Sequence, residues 1–312
     1  MRSSGRDLIA VRHGDTTYRM IVSEDGAKHL VVSGDTTGFE GISNDDGMSC
    51  PLNASNAATL RKRLPWLTPR PLGLNISAGL GDRLGLATPG HIDAIRGTGI
   101  APVFAQQSVR ENSRTHRTPQ QVMDDAMWAV FECDWRNPWG ADADHMKTVE
   151  NIQPFIDAGY TFFTIDPGDH VDNSADSDSL SVLQDKFANL RWTELMTSPD
   201  DLKARYSQEV ALDSISLHFD ETTLLKAAVK YGNAIAHTFA MARNLHTQLG
   251  KDAFDLEVSV DETETTTTIA EHYFFANELK RLGVSWVSLA PRFVGRFEKG
   301  VDYIGDIAEL DA

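Results

Sequence analysis

Three short stretches gather side chains able to move protons or hold an ion. Ala141-Asp142-Ala143-Asp144-His145-Met146-Lys147 alternates small residues with two carboxylates, then sets an imidazole and an amine beside them. An imidazole next to carboxylates suits a general base or a divalent metal; the competing reading is a solvated, charged loop. On a strand, Asp142 and Asp144 share one face and His145 points to the other, unless the strand ends there and the loop turns both inward. The run Leu256-Glu257-Val258-Ser259-Val260-Asp261 puts Glu257, Ser259 and Asp261 on one strand face and apolar residues on the other. A carboxylate in mid-strand facing an interior is costly unless paired or metal-bound, so Glu257 is hard to explain as filler. Asp166, followed by Pro167-Gly168-Asp169-His170, is the next candidate, and Gln106 and Gln107 close another apolar run. Positive charge could come from Arg83, Arg110, Lys147, Arg292 and Lys299. Guanidinium forks suit a carboxylate or phosphate on a small substrate, whereas surface salt bridging is the ordinary role of any single one.

Two further motifs point to other chemistry. Arg12-His13-Gly14-Asp15-Thr16, after Leu8-Ile9-Ala10-Val11, resembles the signature of histidine phosphatases, in which a strand-end His accepts the phosphoryl group. That chemistry needs a helix after the motif, yet residues 17–32 read as a hairpin, and Gly14-Asp15-Thr16-Thr17 recurs as Gly34-Asp35-Thr36-Thr37, so a turn is favoured. Gly79-Leu80-Gly81-Asp82-Arg83-Leu84-Gly85 superficially resembles a dinucleotide loop. No acidic ribose partner is evident and the helix starts only near Pro89, so a sharp βα loop beside a small ligand fits better.

The elements that must position these residues follow from apolar patterning. Residues 8–32 hold three short apolar runs separated by His13-Gly14-Asp15 and Glu24-Asp25-Gly26, a β-meander pattern, and residues 34–51 read as a loop. Residues 1–68 are therefore expected to form a β-rich N-terminal cap. From Pro71 the pattern becomes strand then helix: strands at 72–78, 102–105, 140–145, 160–165, 254–260 and 286–289, and helices at 119–132, 149–158, 222–249 and 268–282. Thr118 as N-cap, Pro119 in the first turn and Gln121 at the capping-box position give the clearest helix start. Alternating strands and helices imply an α/β fold with a parallel sheet. The polar clusters fall at or just past the strands' C-terminal ends, where a TIM-type (β/α)8 barrel carries its active site.

Residues 69–312 are expected to form that barrel, with an insertion at 167–215. About six βα units are visible, and no clear terminal strand follows Asp302-Tyr303-Ile304-Gly305-Asp306. A barrel closes only with eight strands, so the chain lacks about two units, the cap strands fill in, or the fold is another one.

Composition bounds the function. Forty-five Asp and Glu against 29 Lys and Arg leave a formal net charge of −16, with 41% apolar residues. Such a surface repels a phosphate backbone, and no stripe of basic and aromatic residues offsets it, so no nucleic-acid partner is expected. No stretch has the length of a membrane span or a signal peptide, giving no membrane partner and a cytoplasmic expectation. Cys50 and Cys133 are read as reduced structural thiols.

In order along residues 70–306, Gly81-Asp82-Arg83-Leu84-Gly85-Leu86-Ala87-Thr88-Pro89-Gly90-His91, Ala105-Gln106-Gln107-Ser108, Ala141 to Thr148, Thr164-Ile165-Asp166-Pro167, Glu257 to Thr263 and Leu289-Ala290-Pro291-Arg292-Phe293 resemble the tagaturonate epimerase family. The resemblance implies a metal-dependent barrel enzyme interconverting the ketohexuronates tagaturonate and fructuronate in hexuronate catabolism. It implies Asp144 as proton acceptor, Glu257 as proton donor, and His145 as ligand of a divalent metal cation. Arg83, Lys147 or Arg292 would hold the uronate carboxylate, with Gln106, Gln107, Asp166 and Asp261 lining the substrate. The family continues past Ala312 with further His ligands that have no counterpart here. A phosphohydrolase using His13, or a non-catalytic binder of sugar acids, are the alternatives.

Overall fold

The computed structural model describes residues 5–212, 215–298 and 301–311. The chain opens with strands β1 (Gly5–His13), β2 (Thr16–Ser23), β3 (Lys28–Ser33), β4 (Ile42–Asn44) and β5 (Gly47–Cys50), then helix α1 (Ala54–Arg63). The alternating part follows: β6 (Ser77–Gly79), α2 (Thr88–Ile95), β7 (Ala101–Ser108), α3 (Val109–Thr115), α4 (Pro119–Glu132), β8 (Gly140–Met146), α5 (Val149–Ala158) and β9 (Phe162–Ile165). Next come α6 (Leu180–Ala188), α7 (Pro199–Arg205), the short pair β10 (Val210–Leu212) and β11 (Ile215–Leu217), and the long α8 (Glu221–Leu249). The chain continues through β12 (Asp255–Ser259), α9 (Ile269–Arg281), β13 (Ser288–Ala290) and α10 (Ile307–Asp311).

The first five strands form an antiparallel sheet in the order β1-β2-β3-β5-β4, matching the expected β-rich N-terminal region. Thr16, Tyr18 and Met20 alternate inward along β2, and Leu30, Val31 and Val32 are buried on β3. Residues 34–51 are not all loop, as expected from their Gly, Asp and Ser content: Gly47, at φ +131, lets β4 and β5 pair as a hairpin. His13 is exposed and faces Thr16 across a two-residue turn, with Gly14 at φ +59. A strand follows where a phosphatase needs a helix, so the motif is a hairpin turn. Its twin packs on it: a Cβ on Gly34 would stand 2.7 Å from the Asp15 carbonyl oxygen, and Asp35 N–H donates to Thr16 Oγ1 at 3.0 Å.

The remaining large sheet is α/β, with strands ordered β13-β12-β9-β8-β7-β6. Its recorded pairs β6–β7, β7–β8 and β12–β13 are parallel. Among the described residues β13 and β6 are its two ends, so these strands do not form the expected closed eight-stranded barrel, which needs every strand paired on both sides. The strand expected at 72–78 shortens to β6 because Leu72 and Gly73 N–H groups donate to the Asp255 carboxylate, at 2.5 and 2.9 Å, instead of to a ladder. Helix α4 runs over the expected residues, with Thr118 and Gln121 closing the capping box. The segment 167–215 holds α6, α7 and short helical turns.

The chain divides into two compact units. One contains residues 1–144, 150–163 and 252–255, and the other 145–149, 164–251 and 256–312. No helix among the described residues is long and apolar enough to cross a membrane.

Candidate active site

In the first unit the strand ends carry a hydrogen-bonded cluster. Asp82, 7% exposed, lies in the loop after β6. Its Oδ1 accepts from the N–H groups of Leu84 and Leu86, and its Oδ2 from those of Ala87 and Thr88 and from the Thr88 hydroxyl, at 2.7–3.3 Å. Burial pushes the Asp82 pKa up, but these bonds outweigh it and hold the carboxyl below its ordinary value. The amides at the start of α2 are thus taken by a protein carboxylate, which leaves no phosphate cradle of the dinucleotide kind.

Arg117 lies across this loop. Its Nη1 donates to the Asp82 carbonyl at 2.6 Å and to Gln107 Oε1 at 3.0 Å, and its Nη2 to Asp125 Oδ2 at 2.5 Å. Gln107 is buried and spends its Nε2 on Thr115. Gln106 donates to buried Asp142 at 3.0 Å and lies so close to Gly79 that a Cβ there would overlap its amide. Arg83 ion-pairs with Glu111, the capping-box residue of α3, and Arg110 is exposed. Asp144 stays in the ladder opposite Ser108 and is half-buried.

In the second unit the chain turns sharply as it leaves β8. His145 has φ +52, a left-handed conformation that costs a non-glycine residue about 1–2 kcal/mol and clusters at functional sites. Its Nδ1 lies 3.4 Å from Oδ2 of Asp166, 4% exposed, which follows β9 directly. Asp166 N–H donates to the Met146 carbonyl, and its Oδ1 accepts from Gly168 N–H at 2.9 Å. A Cβ on Gly168 would stand 2.9 Å from that oxygen, so a larger residue there would push the Asp166 carboxylate aside. Burial raises the Asp166 pKa, yet His145, the Gly168 N–H and Lys147 together hold it below the ordinary value.

Lys147 Nζ lies 3.0 Å from Asp169 and 3.6 Å from Asp166. Its bond to Asp169 raises its pKa against a smaller effect of burial, and the charge of Asp166 adds to the rise. The amine is therefore balanced by two carboxylates rather than presented as a lone positive charge. His237 of α8 lies 2.8 Å from the Lys147 carbonyl through Nε2 and stacks on His170 at 4.0 Å.

On β12, Glu257 is half-buried between buried Leu256 and Val258 and opposite Ser288 of β13. At the end of the strand Ser259 donates to Asp261, and Arg292 Nη1 donates to the Asp261 carbonyl at 3.3 Å. Arg292 and Thr267 are joined by two further bonds, 2.9 and 3.1 Å. Lys299 lies outside the described residues.

Sequence reasoning missed Arg117, Lys230 and His237. Only the place of Arg117, next to the N-cap Thr118, hinted at a role. Lys230 and His237 sit in mid-helix, where nothing in the sequence marks their loop partners.

A divalent ion usually takes three protein ligands. His145 and Asp166 supply two neighbouring donors, but among the described residues no group of three His, Cys, Asp or Glu side chains could hold an ion. These residues alone therefore do not complete a metal site.

Parallel strands alternating with helices define an α/β protein. The sequence profile described as tagaturonate epimerase matches residues 4–312, and the chain belongs to that family. It is 41% identical over 308 residues to a tagaturonate/fructuronate epimerase of Thermotoga maritima, covering 96% of this chain and 62% of that protein. Crystal structures of a fructuronate-tagaturonate epimerase of Cohnella laeviribosi, 34% identical, superpose with TM-scores of 0.90 for the native form and 0.89 for a form with one glycerol. They cover 99% and 98% of this chain and 63% of theirs. The chain thus spans less than two thirds of the length of these relatives.

Proposed function

We propose that this chain carries the acid–base part of an epimerase that interconverts tagaturonate and fructuronate. The observation that carries the reading is the exit of β8, where Asp144 is followed by a left-handed His145 oriented by buried Asp166. The two ketohexuronates differ at a carbinol carbon one position beyond the carbon next to the ketone, which simple enolisation cannot invert. In a retro-aldol route Asp144 takes the hydroxyl proton, the adjoining carbon–carbon bond breaks to an aldehyde and an enediolate, and re-addition to the rotated aldehyde inverts the centre. In a two-carboxylate route Asp144 and Glu257 would remove and return a carbon-bound proton on opposite faces, which requires a source of carbon acidity other than the ketone. The proton taken returns to the product in both, so no oxidant or reductant is consumed.

His145 is the proposed ligand of a divalent cation, with Asp166 fixing its ring as carboxylates do for metal-binding histidines. Arg292, tied to the Asp261 loop, is better placed to receive a uronate carboxylate than Lys147, which two carboxylates already engage, or Arg83, which is paired with Glu111. The test is conversion of tagaturonate by the purified 312-residue protein, stripped of metal and resupplied with divalent ions. Metal-restored fructuronate is the expected result. A folded protein that forms no product with any ion contradicts the proposal.

A further inference from the structure

Asp166 holds the β8 exit from one side, and α8 supplies a second hold. Taking His145 to belong to the active centre, as proposed above, we infer that His237 is a positioning residue whose ring N–H fixes the backbone two residues after His145.

The Lys147 carbonyl can only accept, so the 2.8 Å contact places the proton on Nε2 of His237. Burial, and then the neighbouring His170, lower the His237 pKa, which favours the neutral ring that this bond requires. The His170 ring covers one face of His237 at 4.0 Å and 28°. Asp169, next to it, takes the Lys147 amine at 3.0 Å. Lys147 is therefore held at both ends, its carbonyl by α8 and its amine by the turn after β9. That grip lies two residues after His145, whose backbone conformation is intrinsically unfavourable and must be held by its surroundings.

The same helix face does related work two turns earlier. Lys230, fully buried, donates to Thr265 at 2.9 Å, Asp176 at 3.0 Å and Glu271 at 3.1 Å. Glu271 in turn closes the capping box of α9. One helix thus ties both the segment leaving β8 and the segment leaving β12. Lys230 secures a loop and a helix start, whereas His237 grips the backbone beside His145 itself.

Nitrogen-15 spectra of the histidine-labelled 312-residue protein read ring tautomers without requiring turnover. The wild type is expected to show His237 protonated on Nε2 and His145 in a single tautomer protonated on Nδ1, toward Asp166. In His237→Leu the single His145 tautomer is lost. His237→Gln, whose side-chain amide can still donate, restores it. With tagaturonate, His237→Leu lowers kcat about 10- to 100-fold while KM stays within about twofold, the usual size of a lost orienting partner, and His237→Gln recovers most of the rate. The inference is overturned if wild-type His237 carries its proton on Nδ1, if a folded His237→Leu keeps the His145 spectrum, or if a folded His237→Gln fails to restore it. Should His237→Leu not fold, the wild-type tautomer and the glutamine variant still decide. A wild type that shows the expected tautomers but converts no tagaturonate contradicts the proposed reaction, not the positioning role.

Discussion

Asp82 and Asp166 are both buried carboxylates just past a parallel strand, and both are held below their ordinary pKa, yet they are used differently. Asp82, in the first unit, spends its oxygens on four backbone N–H groups and a hydroxyl, and so shapes the loop leading into α2. Asp166, in the second, spends one oxygen on its own turn and directs the other at His145 and Lys147. The difference teaches that burial and a lowered pKa do not identify a reactive site. What the carboxylate faces differs: at Asp82 backbone amides make a scaffold, whereas at Asp166 a titratable ring and a half-exposed amine make the proposed centre.

The contrast can be broken at either end. Asp166→Asn should lower turnover of tagaturonate about 10- to 100-fold through a misdirected His145, read by steady-state kinetics with folding checked by circular dichroism. Unchanged kinetics would make Asp166 another scaffold carboxylate. Asp82→Ala should cost about 3 kcal/mol of stability in denaturant unfolding, because several N–H groups at a buried helix start lose their acceptor. A loss below about 1 kcal/mol would show that the loop holds without it.

A third carboxylate sharpens the point through pH. Asp124 on α4 has one amide donor, Gln120, and the guanidinium of Arg61, and burial pushes its pKa up to about 6. A pKa raised in the folded state means the folded protein keeps a proton that the unfolded chain releases near 3.8, so stability falls as pH rises from about 4 to 6. Melting curves of Asp124→Asn should lack that decline. The smallest effect is expected at Arg83, whose half-exposed ion pair with Glu111 is of the surface kind: Arg83→Ala should change stability by less than about 0.5 kcal/mol in the same unfolding assay.

Much of this arrangement is local, and that part is legible in the sequence. The start of α4 follows from Thr118, Pro119 and Gln121, and the strand-end positions of Asp166 and Asp261 follow from apolar runs that stop just before them. What is not legible depends on partners far along the chain. Strand β6 is short because Asp255, 183 residues after Leu72, claims the amides that would have extended it. Arg117 reads as surface charge until Asp82, Gln107 and Asp125 surround it, and His237 as one polar residue in a long helix until Lys147 lies against it. The family resemblance assigns Asp144, His145 and Glu257 roles in chemistry, but only the fold shows that Asp82 and Gln107, from the same run of motifs, are committed to internal bonds.

The measurement closest to the central claim is the rate of fructuronate formation from tagaturonate by Asp144→Asn beside the wild type, with both melting temperatures recorded. A catalytic carboxylate at the β8 exit predicts a loss of at least about 100-fold, with the melting temperature within a few degrees of the wild type's. A variant that folds and turns over at the wild-type rate would contradict it, and would move the chemistry away from the end of β8.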